Sequence, residues 1–299
     1  MQKKAIVTGG LGFIGCNLIK LLLKSNFFVI NIDKIGYASN FYNLRDVKKN
    51  NYKFYKSDIC NKKKLNLILK KHKPNVLFNL AAETHVDRSI NNPQTFFKSN
   101  IMGVYNILEC VKKYIRIQKN FKMIHVSTDE VYGDIKKSIT SKEGDKYNPS
   151  SPYSASKASA DYLINAYVRT YKLPVVISNC CNNFGPNQFP EKLIPKTIFN
   201  IITNKNIPIY GKGQNQREWI YVEDHCRALI NIFRKGKIGE SYNVGTGFVV
   251  NNIKLVQKIM KIYYSSFGKK KRKVKIEFVV DRPGHDLRYA LSSSKIRKK

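Results

Sequence analysis

Lys4-Ala5-Ile6-Val7-Thr8-Gly9-Gly10-Leu11-Gly12-Phe13-Ile14-Gly15 is the stretch that decides the fold. A short apolar strand, Lys4 to Thr8, runs into a glycine-rich turn, and from Ile14 to Lys24 apolar residues recur at helical spacing. Gly10, Gly12 and Gly15 satisfy GxGxxG between that strand and that helix. In such a turn one glycine permits the tight bend, one lets the backbone approach a pyrophosphate, and one lets the helix pack closely on the strand. The helix N-terminus then faces the negative charge. A glycine-rich turn with no ligand would read the same in isolation; the strand before it and the helix after it favour a dinucleotide. Gly9, Gly12, Phe13, Ile14 and Gly15 are therefore candidate cofactor contacts.

Outward from this turn, strand and helix patterns alternate. Strands are expected at Phe27 to Ile32, Phe54-Tyr55, Asn75 to Leu80, Met123 to Ser127 and Val175 to Ser178. Helices are expected at Lys62 to Lys71, Val104 to Ile115 and Pro152 to Tyr171. This rhythm predicts an α/β fold, a Rossmann-type doubly wound parallel sheet with right-handed crossovers. Asp33 ends the second strand, 18 positions past Gly15, where a carboxylate binds both ribose hydroxyls and repels a 2′-phosphate. NAD is favoured over NADP, although Lys34 next door could soften the preference. Asp58-Ile59, after the third strand, is placed to touch an adenine, or Asp58 is a simple capping residue. After about residue 180, Gly185-Pro186, Pro190, Pro195 and Pro208 punctuate mixed short elements. We expect a dinucleotide-binding part over 1–178 and a smaller, mixed α/β substrate part over 179–299, interleaved with the first if the chain crosses back.

Bulk properties narrow the classes. A chain of 299 residues with 42% hydrophobic content suits one large soluble unit or two interlocked ones. No apolar run approaches the ~20 residues that span a bilayer. The apolar start breaks at Gly9-Gly10, too soon for a signal-peptide core, so a cytoplasmic protein without a membrane role is expected. The six cysteines show no CxxC spacing, which predicts free thiols and no metal site. A formal charge of +34 invites nucleic acid, but only 11 of the 54 basic residues are Arg and the Lys are dispersed. No specific nucleic-acid partner is expected; weak adhesion to polyanions at low salt is. The one cluster, Lys269 to Lys273, reads as a loop before a strand.

Tyr153-Ser154-Ala155-Ser156-Lys157 sets Tyr and Lys four apart on one helical face. A free Tyr, with pKa about 10, is a poor base at neutral pH, and a nearby ammonium favours its phenolate. Ser127-Thr128-Asp129-Glu130-Val131-Tyr132-Gly133 brings three successive polar residues to the mouth of the sheet. A sugar dehydrogenase or epimerase needs one hydroxyl there. A dehydratase needs two acids as well, one to take a proton from carbon and one to protonate a departing hydroxyl. Adjacent carboxyls whose environments separate their pKa values can divide that labour; a pair of helix-capping acids is the plainer alternative.

GxGxxG with YxxxK resembles the short-chain dehydrogenase/reductase superfamily. Within its extended branch the chain resembles the dTDP-glucose 4,6-dehydratases. The matching segments are Gly9 to Gly15, Ala81 to Ser89, Ser127 to Gly133, Pro149 to Lys157, Asn179 to Pro195, Tyr210 to Gly213 with Arg217, Tyr221 to His225 and Asp281 to Asp286. They span nearly the whole chain in the family's order. Thr-Asp-Glu and Asp-Arg-Pro-Gly-His-Asp are the specific ones.

The resemblance implies a catalytic set of Thr128, Asp129, Glu130, Tyr153 and Lys157. Tyr153, helped by Lys157, takes the glucose 4-hydroxyl proton as hydride leaves C4 for NAD, and Thr128 orients O4. Glu130 removes the C5 proton, Asp129 protonates the departing 6-hydroxyl, and hydride returns to C6. It further implies Ala81, Ala82, Thr84, Ser99 and Asn183 on the cofactor side, with Lys34, Tyr153 and Lys157 also in contact with the cofactor. Thr84, Asn182, Lys192, Leu193, Pro208 and Tyr210, then Arg217, Asn252, Arg282 and His285, would grip the nucleotide sugar. A homodimer is implied too, with helices around 104–117 and 153–171 packing on their mates. Asp134 to Asn148 is shorter than usual for the family, and members usually continue for several tens of residues past the position of Lys299. The alternatives are an NAD-dependent nucleotide-sugar epimerase or decarboxylase, and a degenerate polyanion-binding shell.

Overall fold

A computed structural model describes residues 2–267 and 274–298. The Lys269 to Lys273 cluster lies outside the described residues. The described residues form twelve strands: β1 (Lys4–Thr8), β2 (Phe28–Asp33), β3 (Tyr52–Lys56), β4 (Val76–Asn79), β5 (Lys122–Thr128) and β6 (Val175–Cys180) in the first part. β7 (Asn182–Phe184), β8 (Ile207–Tyr210), β9 (Gln216–Tyr221), β10 (Ser241–Val244), β11 (Val249–Asn251) and β12 (Ile276–Val279) follow.

Seven of them form one sheet in the order β10-β6-β5-β4-β1-β2-β3, and each neighbouring pair is parallel. β4 and β6 are buried along their whole length, as strands covered on both faces must be. Helices Phe13–Lys24 and Val222–Lys235 cover one face, where Leu18, Leu22 and Leu229 join the sheet's apolar side chains. Lys62–His72, Gly103–Tyr114 and Pro152–Tyr171 cover the other through Leu69, Ile107 and Ile164. Each fully buried Leu or Ile contributes about 1.5–3 kcal/mol. This is the doubly wound α/β architecture expected from the alternation.

The strand order reverses at β1, between β2 and β4, and in open α/β sheets ligands bind outside the carboxyl ends at such a point. The glycine turn and Asp33 both emerge there. β10 was not read from the sequence; it comes from residues 241–244 and closes the edge beside β6. Chain beyond residue 178 therefore returns to the large sheet.

The rest of the second half builds a smaller mixed lobe. β9 pairs antiparallel with β11 and parallel with β7, and β8 pairs parallel with β12. Ile201, Ile207, Ile209 and Val256 form its own small core. Between the helices, Phe97–Met102 winds as a π-helical turn that directs Ser99 and Asn100 inward. Among the described residues, no helix is long and apolar enough to cross a membrane.

Candidate active site

A cavity of about 880 Å³ opens at the reversal point, between the large sheet and the smaller lobe. Of all the residues named above as catalytic, cofactor or substrate contacts, every one except Asp129 lies on its wall.

The cofactor end is shaped by what is missing from the glycines. Gly9 has φ +70°, and a Cβ there would sit 2.9 Å from the Ala81 backbone. A Cβ on Gly15 would run into the Gly9 carbonyl. The cradle thus admits only hydrogen at both positions. Gly12 caps the helix Phe13–Lys24 without any side chain, which leaves the first-turn amides open to an anion. Asp33 is held by three donors: Leu11 N at 3.0 Å to Oδ2, and Ile35 N and Ser39 Oγ at 2.8 Å each to Oδ1. A carboxylate has about four acceptor sites, so a place remains for a ribose hydroxyl. Lys34 pairs with Glu83 at 2.7 Å, so its charge is already answered beside the site. Asp58 Oδ1 accepts from Cys60 N at 2.8 Å while the residue still faces the cavity. Capping and lining coexist there. These donors, this cradle and this carboxylate fit a dinucleotide with free ribose hydroxyls.

The catalytic wall is assembled from two elements. β5 ends at Thr128, whose hydroxyl accepts from Glu130 N at 3.3 Å and caps the 3₁₀ turn Asp129–Tyr132. The helix Pro152–Tyr171 starts with a capping box between Ser151 and Ser154 and with proline in its first turn. Its second residue, Tyr153, is pinned by its own amide donating to Ser89 Oγ at 3.2 Å. Thr128 lies within hydrogen-bonding reach of the Tyr153 phenol. Burial first and the Glu130 carboxylate next hold that phenol well above its ordinary value. Lys157 Nζ donates to the Val126 carbonyl at 2.7 Å rather than to the phenol, and burial lowers its pKa against the opposing charge of Asp161.

The surroundings of the two acids differ. Asp129 is 2% exposed and sits behind the wall, not at the mouth as its neighbours do. The tight turn after β5 sends Thr128 and Glu130 outward and Asp129 into protein. Burial, then Glu130, push its pKa well above the carboxylate range, with Arg217 opposing. Glu130 faces the cavity; burial raises its pKa, while Arg282, Arg217 and Lys192 pull it down.

At the far end, Arg217 gives its guanidinium to the carbonyls of Gln216, Leu287 and Asp286 and stacks 4.2 Å from the Tyr289 ring. Its place in the site is fixed by these bonds. Arg282 pairs with Asp87 at 3.4 Å, and Tyr210 donates to the other Asp87 oxygen at 2.9 Å. Lys192 reaches across to the Thr84 carbonyl at 3.1 Å. His285 Nδ1 lies 2.6 Å from Asp281 Oδ1. Asn252 Oδ1 is buried with no partner, and Asn183 is oriented by His225 at 2.9 Å. Sequence reasoning missed Asp87, His85, Glu191 and Tyr37, which also line the cavity. His85 and Asp87 stood inside a quoted segment, but nothing in their spacing marked them. Among the described residues no cluster of His, Cys, Asp or Glu could hold a metal ion.

Comparison with known proteins agrees with this geometry. The GDP-mannose 4,6-dehydratase family model matches residues 6–299. A dTDP-glucose 4,6-dehydratase of Salmonella typhimurium is 44% identical over 99% of this chain and 86% of its own. The crystal structure of a dTDP-glucose 4,6-dehydratase from Bacillus anthracis, in complex with NAD, superimposes with TM-score 0.88 at 40% identity, covering 99% of this chain and 89% of that one. One from Streptomyces venezuelae, also with NAD bound, gives TM-score 0.91 at 37% identity, with 99% and 90% covered. With its glycine cradle, its ribose carboxylate and its Thr-Asp-Glu turn facing Tyr153 and Lys157, the chain belongs to the GDP-mannose 4,6-dehydratase family.

Proposed function

We propose that this protein is an NAD-dependent hydro-lyase that converts dTDP-glucose to dTDP-4-keto-6-deoxyglucose. The observation that carries the reading is the convergence of Thr128, Glu130, Tyr153 and Lys157 on one cavity wall, with Asp129 buried against Thr128 behind it. An epimerase has no use for that second acid.

NAD, when bound, would supply a reversible hydride acceptor. The chain's own residues do the rest. Thr128 holds the sugar O4 and Tyr153 takes its proton, with the Lys157 charge favouring phenolate. The resulting ketone acidifies C5–H, and Glu130, kept ionisable by Arg282, Arg217 and Lys192, removes that proton. Asp129, whose protonated form burial and Glu130 favour, is assigned as the proton source for the departing 6-hydroxyl, passed on from behind the wall through the Thr128 hydroxyl that contacts it. Gly9, Gly12, Phe13, Ile14 and Gly15, with Asp33, Lys34, Asp58, Ile59, Ala81, Ala82, Thr84, Ser99 and Asn183, would hold the cofactor. Lys192, Arg217, Arg282, His285, Tyr210 and Asn252, with Thr84, Asn182, Leu193 and Pro208, hold the nucleotide diphosphate, the arginines as forks for phosphate oxygens.

The division at residues 178 and 179 is proposed with β10 and the helix Val222–Lys235 lent back to the first part. A homodimer through the helices around 104–117 and 153–171 is supported by exposed Met102, Ile117, Tyr162 and Tyr171. A cytoplasmic location is supported by six unpaired cysteines. Incubation with dTDP-glucose and with UDP-glucose tests the activity: a 4-keto-6-deoxy product from the first supports it, and none from either refutes it.

A further inference from the structure

Behind Lys157 runs a buried polar chain to which no role has been given above. The Thr8 hydroxyl donates to Asn79 Oδ1 at 2.7 Å, which turns the Asn79 amide nitrogen toward His125 Nδ1, 2.9 Å away. Nδ1 accepts, so the ring proton resides on Nε2, an assignment that follows from the hydrogen-bond pattern. Nε2 lies 3.5 Å from Lys157 Nζ and 3.6 Å from Asp161 Oδ1. An N–H cannot accept from an ammonium, so it faces Asp161 Oδ1, a buried oxygen with no hydrogen-bond partner. The other Asp161 oxygen accepts from Ser127 Oγ at 2.6 Å and from the Tyr147 phenol at 3.2 Å.

We propose that Asp161, acting across the His125 ring, is the counter-charge that keeps Lys157 cationic in its place one helical turn from Tyr153, and so is a positioning residue for the oxidation step. Asp161 stands four residues after Lys157, on the same helical face, and both are buried. A buried ammonium without a counter-charge loses its proton, which is the one thing Lys157 must not do here. The groups around the pair are His125 and Ser127 from β5, Asn179 and Cys180 from β6, Tyr147 from the loop before the helix, and Tyr153 on the helix itself. Burial, with Lys157 adding, holds His125 neutral. Burial pushes Asp161 up to about 6, against Lys157 and its hydrogen bonds, so it is ionised at neutral pH and loses its charge in mild acid.

Two variants separate this role from a merely structural one. In Asp161→Asn the charge is gone, and the Lys157 proton leaves at lower pH. In Tyr147→Phe the charge stays but one donor to the carboxylate is lost, so Asp161 protonates more readily. The Lys157 pKa is read without turnover from the ¹³Cε resonance of lysine-labelled protein, assigned by its disappearance in Lys157→Met. We expect the Asp161→Asn midpoint to fall by at least about one pH unit. An unchanged midpoint overturns the proposal. The kinetic arm alone rests on the dehydratase reading. There, Asp161→Asn is expected to lower kcat at least about tenfold with KM unaltered. Tyr147→Phe should move the acid limb of kcat up by about one pH unit and recover the parental rate at higher pH. A Tyr147→Phe rate reduced equally at every pH also contradicts the proposal. Parent protein that forms no product while the resonance shifts as stated counts against the dehydratase reading and not against this one.

Discussion

The Thr128 hydroxyl donates to Oδ1 of Asp129 at 3.2 Å, while Oδ2 of the same carboxyl is buried with no partner at all. One side chain therefore faces the cavity and steadies its neighbour, and the burial of that neighbour favours its protonated form.

Asp129→Asn keeps the shape and removes the proton donor. Oxidation at C4 should continue and elimination should slow by about 10²-fold or more. The reduced-nicotinamide absorbance band then accumulates during single turnover. Loss of that band together with loss of product would argue against Asp129 as the acid. The folded-state pKa of Asp129 is raised, so its contribution to stability is present at low pH and is lost as pH rises through that value. The Tm of Asp129→Asn relative to the parent should accordingly improve from acid to neutral pH.

The pH dependence of kcat should be bell-shaped, with the limbs assigned by sign. Glu130 must be ionised to act as a base and Asp161 to steady Lys157, so activity falls as pH drops through their raised pKa values. Asp129 must be protonated, so activity falls as pH climbs through its own, which burial sets higher. Asp129→Asn should abolish the alkaline limb and spare the acid one. A profile of unaltered shape would contradict the division of labour.

Lys34 is kept from acting on a ribose phosphate by its 2.7 Å pair with Glu83. Glu83→Gln releases it. The affinity for NADP relative to NAD, measured by calorimetry on cofactor-stripped protein, should rise about threefold or more. No change in the ratio would mean that Asp33 alone sets the preference.

Much of this was legible in the residues. Lys4–Thr8 and Pro152–Tyr171 fall at the expected bounds because one is a clean apolar run into glycines and the other begins with Ser-Pro. β3 extends beyond Phe54-Tyr55 to Tyr52–Lys56, since an edge strand tolerates the outward lysines that hid its ends. β10 was invisible: Ser-Tyr-Asn-Val is four residues long and half polar, and only the open edge of β6 makes it a strand. The π-helical turn at Phe97–Met102 has no period to detect. Within the site, residue identity carried far; direction did not. Nothing in Thr-Asp-Glu says that the middle residue turns inward, nor that Asp87 waits between Arg282 and Tyr210, because those are facts of the turn and of the facing lobe.

The most direct measurement follows the hydrogen at C4. dTDP-glucose deuterated at C4 is incubated with the protein, and the product is examined by NMR. The account requires a 4-keto-6-deoxy sugar carrying the deuterium at C6, with the cofactor unchanged at the end. Product with the label lost to water, or substrate returned with the label still at C4, would contradict it.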